Sequence, residues 1–428
     1  MSIKLQQPII SGSLRVTNFF NGRLVTGADM FREQNARREA VWRVGKAAGE
    51  GIVYGLEVER ETTALSEPLV SVSAGLAVNR CGQTLYLAQD TTVNLLQRFG
   101  TIEQPSKIFG ECKPVAAGTY AAGFGLYLLV LSPAETSEGS APTSGLKNAF
   151  STCNTDVVLE TAQFRLLAID PFLTGEILPA PNLLRNYIAY KCFGTAEMQE
   201  FFADPIRVEI DSYGLIDKMR EKTITDSDVP LAIINWTSSG IQFVEMWAVR
   251  RRMTRLPENG RWSFLASDRR QSESEAMFSQ FADHIRDIRS KEANLHTITA
   301  VSRFSYFPPV GLLPVKAPIG GLNISNAAAS AGFAPQTFFG QLGSKEVAML
   351  DAPRLRRLIQ ESFQHDPVDL KQDKKVRLYL LWENVRAVET GSSTQLILIF
   401  TKQTLPYSGT ARFGYSEFDL SRFAEAVV

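Results

Sequence analysis

Residues that carry out acid–base or nucleophilic chemistry are sparse in this chain of 428 residues. It contains three histidines, His284, His296 and His365, and none has a serine or cysteine partner at a spacing typical of a catalytic triad. The HExxH pattern of zinc hydrolases is absent, because no second histidine lies at helical distance from any of the three. We therefore predict no catalytic residue, no metal ligand and no cofactor.

Glycine-rich and acidic segments give no stronger signal. In "GEGIVYG" at 49–55 the glycine intervals do not fit a phosphate loop, and helix termination and close strand packing explain these glycines. The acidic turns "DSYGLID" and "TDSDVP" lack the alternation and closing glutamate of a calcium loop. A glycosidase needs only two carboxylates brought together by folding, so a hidden pair of catalytic acids stays open.

The cysteines and the overall charge also limit the classes of function. Four cysteines occur without a CxxC pair, and we expect them to be buried thiols: Cys81, Cys112, Cys153 and Cys192. The formal net charge is zero, so no overall field attracts nucleic acid or an anionic membrane. We expect no nucleic-acid partner.

The densest basic feature is the run "AVRRRMTR", which contains Arg250, Arg251 and Arg252. Arginine pairs well with carboxylates, so the run favours an acidic protein partner, although a charged strand exit in water explains it equally well. The N-terminus lacks the apolar run of a signal peptide, and no stretch of about 18 apolar residues exists. We expect a cytoplasmic protein without direct membrane contact.

The first predicted element is a charged helix. Thr26 or Asp29 can cap it, and it should run to about Ala47, where glycines follow. Its few apolar residues leave only a narrow stripe for burial, so we expect a helix on a surface. These residues are Met30, Phe31, Val41, Trp42 and Val44.

From Gly51 onward a period of two predicts a β meander, folded as a small barrel or sandwich. The run "AAGFGLYLLVLSP" predicts a core strand, and the polar segment 133–149 predicts a surface loop before the strand "DVVLETAQFRLLAID". Farther on, "TSSG" joins two strands as a hairpin.

The C-terminal part mixes helices and strands. A helix over 273–294 should pack Met277, Phe281, Ile285 and Ile288 inward, and the segment 304–335 should be an ordered loop or a domain-crossing strand. Asp351 should cap the next helix, and "VRLYLLWENV" and "TQLILIF" should be the last strands.

These elements predict a multidomain α+β fold, with a β-rich N-terminal module of meander strands and surface helices, and a mixed α/β C-terminal part. We place an N-terminal docking segment and β-rich module at 1–172. A helix plus β-hairpin module should cover 173–260, and a C-terminal α+β domain 261–428.

Four motifs follow one another in the chain: "NFFNGRLVTGADMFREQ", "VSVSAGLAVNRCGQTLYL", "VPLAIINW…GIQFVEMWAVRRR" and "FSYFPPVGLLPV…FFGQL". Their order resembles that in a family of proteins encoded with phage-tail-like contractile injection systems. The family's later "GVVxGLEV" looks like residues 51–58, but with isoleucine at position 52, and the chain has no histidine after the "EQ" helix. The resemblance implies no catalytic residue. Residues that match the family's opening pattern are Asn18, Phe19, Phe20, Gly22, Leu24, Asp29, Met30, Glu33 and Gln34.

The resemblance implies a structural component at or around the baseplate that acts through protein–protein assembly. Its partners would be other baseplate or tail subunits, and several copies would form a homo-oligomer within a large cytoplasmic particle, which as a whole can be anchored to a membrane. The alternative for the aromatics is an internal staple between helix and sheet. The candidate interface consists of Phe19, Phe20, Arg23, Leu24, Asp29, Phe31, Trp42 and Tyr54, with Arg250, Arg251 and Arg252.

Two other functions stay open at this point. A carbohydrate- or receptor-binding fibre-like module would stack sugars on Trp236, Trp247 or Trp262. A glycan-cleaving enzyme would use two carboxylates that the sequence does not reveal.

Overall fold

A computed structural model gives the fold of the chain in ten stretches. The described residues are 10–61, 68–95, 125–142, 153–173, 175–204, 213–254, 268–319, 332–340, 343–373 and 375–402. Within them the chain forms eight helices and sixteen strands in several sheets, which confirms the multidomain α+β class.

Internal contacts divide the described residues into two compact units. The first unit consists of the described residues within Met1–Ala168, Thr223–Val244 and Arg251–Glu258, and the second of those within Ile169–Lys222, Glu245–Arg250 and Asn259–Val428. The two units alternate along the chain, whereas the three segments expected from the sequence follow one another.

The first unit begins with helix α1 (Gly27–Ala48). Thr26 caps it, because its hydroxyl accepts a hydrogen bond from the Asp29 N–H while the Asp29 carboxylate accepts from the Thr26 N–H. Gly49, with a φ of 118°, ends the helix. The predicted cap and extent of this helix are confirmed.

The predicted antiparallel strands are confirmed, and they form two three-stranded sheets with the orders β1–β4–β5 and β2–β3–β6. The expected small barrel is wrong for the described residues, because β1 pairs with β4 and β3 with β6 in two separate sheets. Two of the expected runs each split into two short strands, so the six strands do not join in one continuous sheet. The strands are β1 (Gly51–Gly55), β2 (Val58–Arg60), β3 (Leu69–Val72), β4 (Gly75–Val78), β5 (Thr84–Leu87) and β6 (Thr91–Asn94).

A four-stranded sheet of order β10–β9–β7–β8 completes the first unit. The prediction of a loop over 133–149 is wrong for residues 133–142, which continue β7, and residues 143–149 lie outside the described part. Pairing with β8 holds this polar stretch extended, and a solvated strand needs no apolar alternation. The strands are β7 (Gly125–Pro142), β8 (Cys153–Ala168), β9 (Val229–Thr237) and β10 (Gly240–Glu245).

The second unit contains the remaining helices. They are α2 (Pro181–Phe193), α3 (Thr195–Ala203), α4 (Leu215–Arg220), α5 (Arg269–Lys291), α6 (Pro335–Phe339), α7 (Ala352–Ser362) and α8 (Trp382–Glu389). Asp351 caps α7 as predicted, since its carboxylate accepts from the Arg354 N–H at 3.0 Å. The expected last-but-one strand is shorter than predicted, because its "WENV" end forms the start of α8.

The main sheet of the second unit has the order β12–β16–β15–β13, in which β13 and β15 are parallel. Segment 304–335, expected to be a loop or a domain-crossing strand, supplies β11 and core strand β12, while residues 320–331 lie outside the described part. The strands are β11 (Tyr306–Phe307), β12 (Val310–Val315), β13 (Gly343–Leu350), β14 (Val368–Asp369), β15 (Val376–Leu381) and β16 (Leu396–Thr401).

Helix α5 forms the core of this unit together with aromatic residues around it. Its predicted inward face is confirmed, because Met277, Phe281, Ile285 and Ile288 are all buried. The ring centroid of Phe281 lies 5.2 Å from that of Phe400 and 5.6 Å from that of Phe307, both in edge contact.

A buried polar network lies beside this core. Glu245 has no exposed surface, and its carboxylate accepts from Arg185 Nε at 2.7 Å and from Gln280 Nε2 at 3.3 Å. The Tyr306 hydroxyl donates to Gln280 Oε1 at 3.3 Å and extends the network. Removing a carboxylate from water without a paired cation destabilises the fold, and the ion pair with Arg185 offsets this desolvation penalty of Glu245.

We expect Arg185→Met to lower the free energy of unfolding by about 3–5 kcal/mol, because it leaves the Glu245 charge buried without its guanidinium. Lys191→Met is the matched control: Lys191 pairs with Glu176 at 2.9 Å, but both side chains are one-third exposed. Its loss should cost no more than about 1 kcal/mol. Guanidinium titration of both variants checks this, and equal losses would contradict it.

His284 should make stability depend on pH. Its Nδ1 has no hydrogen-bond partner among the described residues, and burial, with Arg185, Arg303 and Lys291 nearby, lowers its pKa well below 6.5. Below pH 6.5 the unfolded chain binds a proton here that the folded chain does not, so the free energy of unfolding falls as the pH decreases. His284→Gln should flatten this slope between pH 7 and 5 in urea titrations, and an unchanged slope would contradict the assignment.

Candidate protein interface

Large apolar side chains are exposed throughout the N-terminal part of the first unit. Leu24 is 88% exposed and Phe20 is 63% exposed. Groups of exposed large apolar side chains mark interaction sites in folded proteins when they form a patch. The exposed residues are Ile10, Val16, Phe19, Phe20, Leu24, Val25, Met30, Phe31, Val41 and Val44.

Helix α1 buries only two of its 22 residues, Asp29 and Ala36. The apolar stripe that we expected to be buried faces solvent instead, because Met30, Val41 and Val44 are between 51% and 70% exposed. With the exposed Gln34 and Arg37, these three occupy positions 30, 34, 37, 41 and 44, the alternating spacing of a helix–helix seam. We call this row the α1 stripe.

Backbone contact holds α1 on the first unit without burying that stripe. A Cβ on Gly82 would lie 1.9 Å from the Trp42 carbonyl oxygen, and a Cβ on Gly45 would lie 2.1 Å from the Gly82 carbonyl oxygen. Arg38 adds ion pairs to Glu160 at 3.1 Å and to Glu135 at 3.7 Å. The helix is therefore fixed along its Arg38 and Gly45 side.

Asp29 organises the segment that precedes the helix. Its carboxylate accepts from Arg23 Nη2 at 2.5 Å and from Arg32 Nη1 at 3.2 Å, and the Thr17 hydroxyl donates to its carbonyl oxygen at 3.0 Å. Hydrogen bonds from the Thr26 hydroxyl and N–H lower the pKa of Asp29 to about 2, and Arg23 contributes less. Asp29 is buried, so its part in the interface is to position its neighbours.

The aromatic residues ahead of α1 project from this organised base. Phe19, Phe20 and Leu24 are exposed, and the Arg23 guanidinium lies 5.9 Å from the centroid of the Phe20 ring. Arg23 also donates to the Asn18 carbonyl oxygen at 2.8 Å. Because exposed Phe19 and Phe20 do not form an internal staple, they are open to a partner.

A groove of about 440 Å³ runs between the N-terminal segment and α1. Phe31 lies on its wall and is itself exposed, so an apolar side chain of a partner can contact it there. The groove is lined by Ser13, Arg15, Ala28, Phe31, Arg32, Asn35, Ala36 and Glu39.

The other two aromatics of the candidate interface differ from each other. Trp42 is half-buried, with the Arg38 guanidinium 5.2 Å from its ring centroid, so it serves mainly inside the unit. Tyr54 is exposed on β1, next to the irregularity between Ile52 and Tyr54 in the pairing with β4.

The arginine run is divided between the two units. Arg250 belongs to the second unit, where its guanidinium lies 5.3 Å from the ring centroid of Trp247. Arg251 and Arg252 belong to the first unit, and the Arg251 carbonyl oxygen accepts from the Ile52 N–H at 2.8 Å. The backbone of Arg251 thus adds to the edge of β1.

The described tryptophans among those proposed to stack sugars do not present a free ring face. Trp236 is buried, and Trp247 donates to the Asp283 carboxylate while Arg250 covers its ring. Trp262 lies outside the described residues. Within the described stretches no group of His, Cys, Asp and Glu is placed to hold a metal ion, and no helix combines the length and apolar character needed to cross a membrane.

Comparison of the chain with models of known protein families and with curated proteins finds no match. The function must therefore be argued from the chain's own geometry. Sequence reasoning missed the contact between Gly45 and Gly82, because a close approach of two backbones leaves no pattern in the sequence. It found the apolar stripe of α1 but not its exposure, because a pattern of apolar residues does not show which surface covers them.

Gly82→Ala should loosen α1, and Gly22→Ala is its matched control. Both glycines have positive φ, 81° and 88°, so both changes carry about 1–2 kcal/mol of backbone strain. Only Gly82→Ala also forces α1 away, at a further cost of about 1–3 kcal/mol. Hydrogen exchange of the α1 amides should be faster in Gly82→Ala alone, and equal rates in the two variants would contradict this.

Proposed function

We propose that the chain is a structural component of a phage-tail-like contractile injection system, attached at or around the baseplate and acting through protein–protein assembly. The observation that carries this proposal is the exposed apolar surface of the N-terminal segment and α1. A helix of 22 residues that buries two of them in its own unit is expected to bury others against a partner.

The resemblance in motif order and the structure concern the same residues. Phe19, Phe20 and Leu24 match the family's opening pattern and are exposed, whereas Asp29 matches it and is buried as the organiser of the segment. A pattern that combines exposed apolar residues with the carboxylate that positions them supports docking rather than catalysis.

The exposed apolar side chains of this surface can contribute binding free energy. Burying one large apolar side chain contributes about 1.5–3 kcal/mol, so Phe20, Leu24 and Phe31 can together supply the central anchors of an interface. Arg15, Arg32 and the other cations around them suit a polar rim. The partners are other baseplate or tail subunits, and the chain works in several copies within a large cytoplasmic particle.

The role is mechanical: β modules hold position while proline- and glycine-rich connections accommodate rearrangement of the baseplate. The structure restricts where such connections lie, because Val310–Val315 in the proline- and glycine-rich segment pairs along its whole length with β16. This part of the segment belongs to a core sheet and is not a flexible connection.

We expect Phe20→Asp combined with Leu24→Asp to reduce incorporation into particles more than tenfold, because each change places a charge where the partner presents apolar surface. Thermal melting should be unchanged, since both side chains are exposed. The assay is sedimentation of a tagged copy from native lysate, with negative-stain microscopy of the pellet for sheathed tubes.

The control is Ile177→Asp combined with Val301→Asp, which alters exposed apolar residues of the second unit. This variant should sediment with the tubes like the unaltered chain. Failure of the unaltered chain to sediment with tubes, or full incorporation of the Phe20 and Leu24 variant, would contradict the proposed function.

A further inference from the structure

Strands β7 and β8 extend beyond the sheet that they share with β9. The pairing of β9 with β7 ends at Leu131, whereas the pairing of β7 with β8 continues to Pro142 and Cys153. Residues 133–142 and 153–162 therefore form a two-stranded ribbon, which we call the β arm. Among the described residues no third strand pairs with the arm, so both of its edges are open.

The β arm is acidic and carries exposed apolar residues. All of its charged side chains are carboxylates, and all four are exposed: Glu135, Glu138, Asp156 and Glu160. Val157, Val158 and Leu159 are also exposed. Since successive side chains of a strand alternate, the arm presents apolar atoms on both faces.

The α1 region has the opposite charge. From residue 10 to residue 48 the chain carries seven arginines and lysines but only three carboxylates, although the whole chain is neutral. Arg37, whose side chain is 82% exposed, lies in the middle of the α1 stripe between Met30 and Val41. The stripe therefore combines apolar contact with positive charge, which complements the β arm.

Within one copy the arm already contacts α1 at its base, through the ion pairs of Arg38 with Glu135 and Glu160. Arg37 and Arg38 are about 100° apart around the helix, so the stripe lies beside the side that this base occupies, and its residues stay exposed. Ion pairs between arginines of α1 and carboxylates of the arm thus already form within one copy. The α1 stripe itself is still exposed and can contact a second copy.

The β arm is long enough to cover the α1 stripe. The stripe runs from residue 30 to residue 44 of the helix, so it is about 21 Å long. Ten residues of an antiparallel strand, such as 133–142, span about 30–34 Å.

We propose that the β arm of one copy of this chain docks on the α1 stripe of a second copy, through the face that carries Val157 and Glu138 or through the face that carries Val158 and Asp156. The valine of that face lies against Met30 and Val41, and its carboxylate lies near Arg37. The contact is heterologous, so it produces a ring if the rotation between copies closes. This inference rests on the proposed role in assembly and names one of the partners. A pairing of two α1 helices is disfavoured, because it would place Arg37 of one copy near Arg37 of the other, and like charges repel.

Charge exchange between the two surfaces tests this docking. The helix variant carries Gln34→Glu and Arg37→Glu, and the arm variant carries Glu138→Lys and Asp156→Lys; all four positions are exposed. Sedimentation velocity of the purified full-length chain at low and high salt measures association. We expect the unaltered chain to associate, more weakly at high salt, and each variant alone to lose at least about tenfold in affinity.

Association should return when the two variants are mixed, and also in a chain that carries all four changes, because both restore opposite charges across the contact. Arg354→Glu, on the exposed side of α7 in the second unit, is the charge control and should associate normally. If mixing restores association, the single variants are folded and had lost only the docking contact, because a misfolded chain would not recover on mixing.

Several results would overturn the inference. If the helix variant loses association and the arm variant keeps it, two α1 helices pair with each other instead. A chain that is monomeric at all concentrations would exclude self-docking. If the monomeric chain still sediments with sheathed tubes, the proposed function stands and another subunit occupies the stripe. If it associates as described but never sediments with tubes, self-docking stands and the proposed function fails.

Discussion

The contact between the backbones of Gly45 and Gly82 fixes α1 on the first unit and leaves its apolar side chains exposed. Because neither residue has a Cβ, the helix lies directly on the turn before β5, and it is held there without burying its apolar side chains. The α1 stripe is thus fixed in place and still open. A helix held by side-chain packing would have used Val41 and Val44 for its own core.

The buried ionisable groups serve the fold itself. Glu245 is neutralised by Arg185, and Asp228 accepts from Arg165 at 3.0 Å and from Ser132 at 2.5 Å. Asp29 likewise binds its own segment. These three buried carboxylates are thus held in structural pairs.

The sequence predicted local features well and long-range features poorly. The Thr26 cap and the inward face of α5 depend on neighbouring residues and on a period of 3.6, so they could be predicted. The pair of Arg185 and Glu245, 60 residues apart, left no pattern. Periodicity showed that Met30 and Val41 share a face of α1, but not whether this chain or a partner covers it.

The central claim is that the segment around Leu24 contacts another subunit, and site-specific photo-crosslinking tests it most directly. A benzophenone amino acid would replace Leu24 in one chain and Ile177, which is 95% exposed in the second unit, in another. The account predicts crosslinks to baseplate or tail subunits in the sedimenting fraction from position 24 and none from position 177. Equal crosslinking from both positions, or none from position 24, would contradict it.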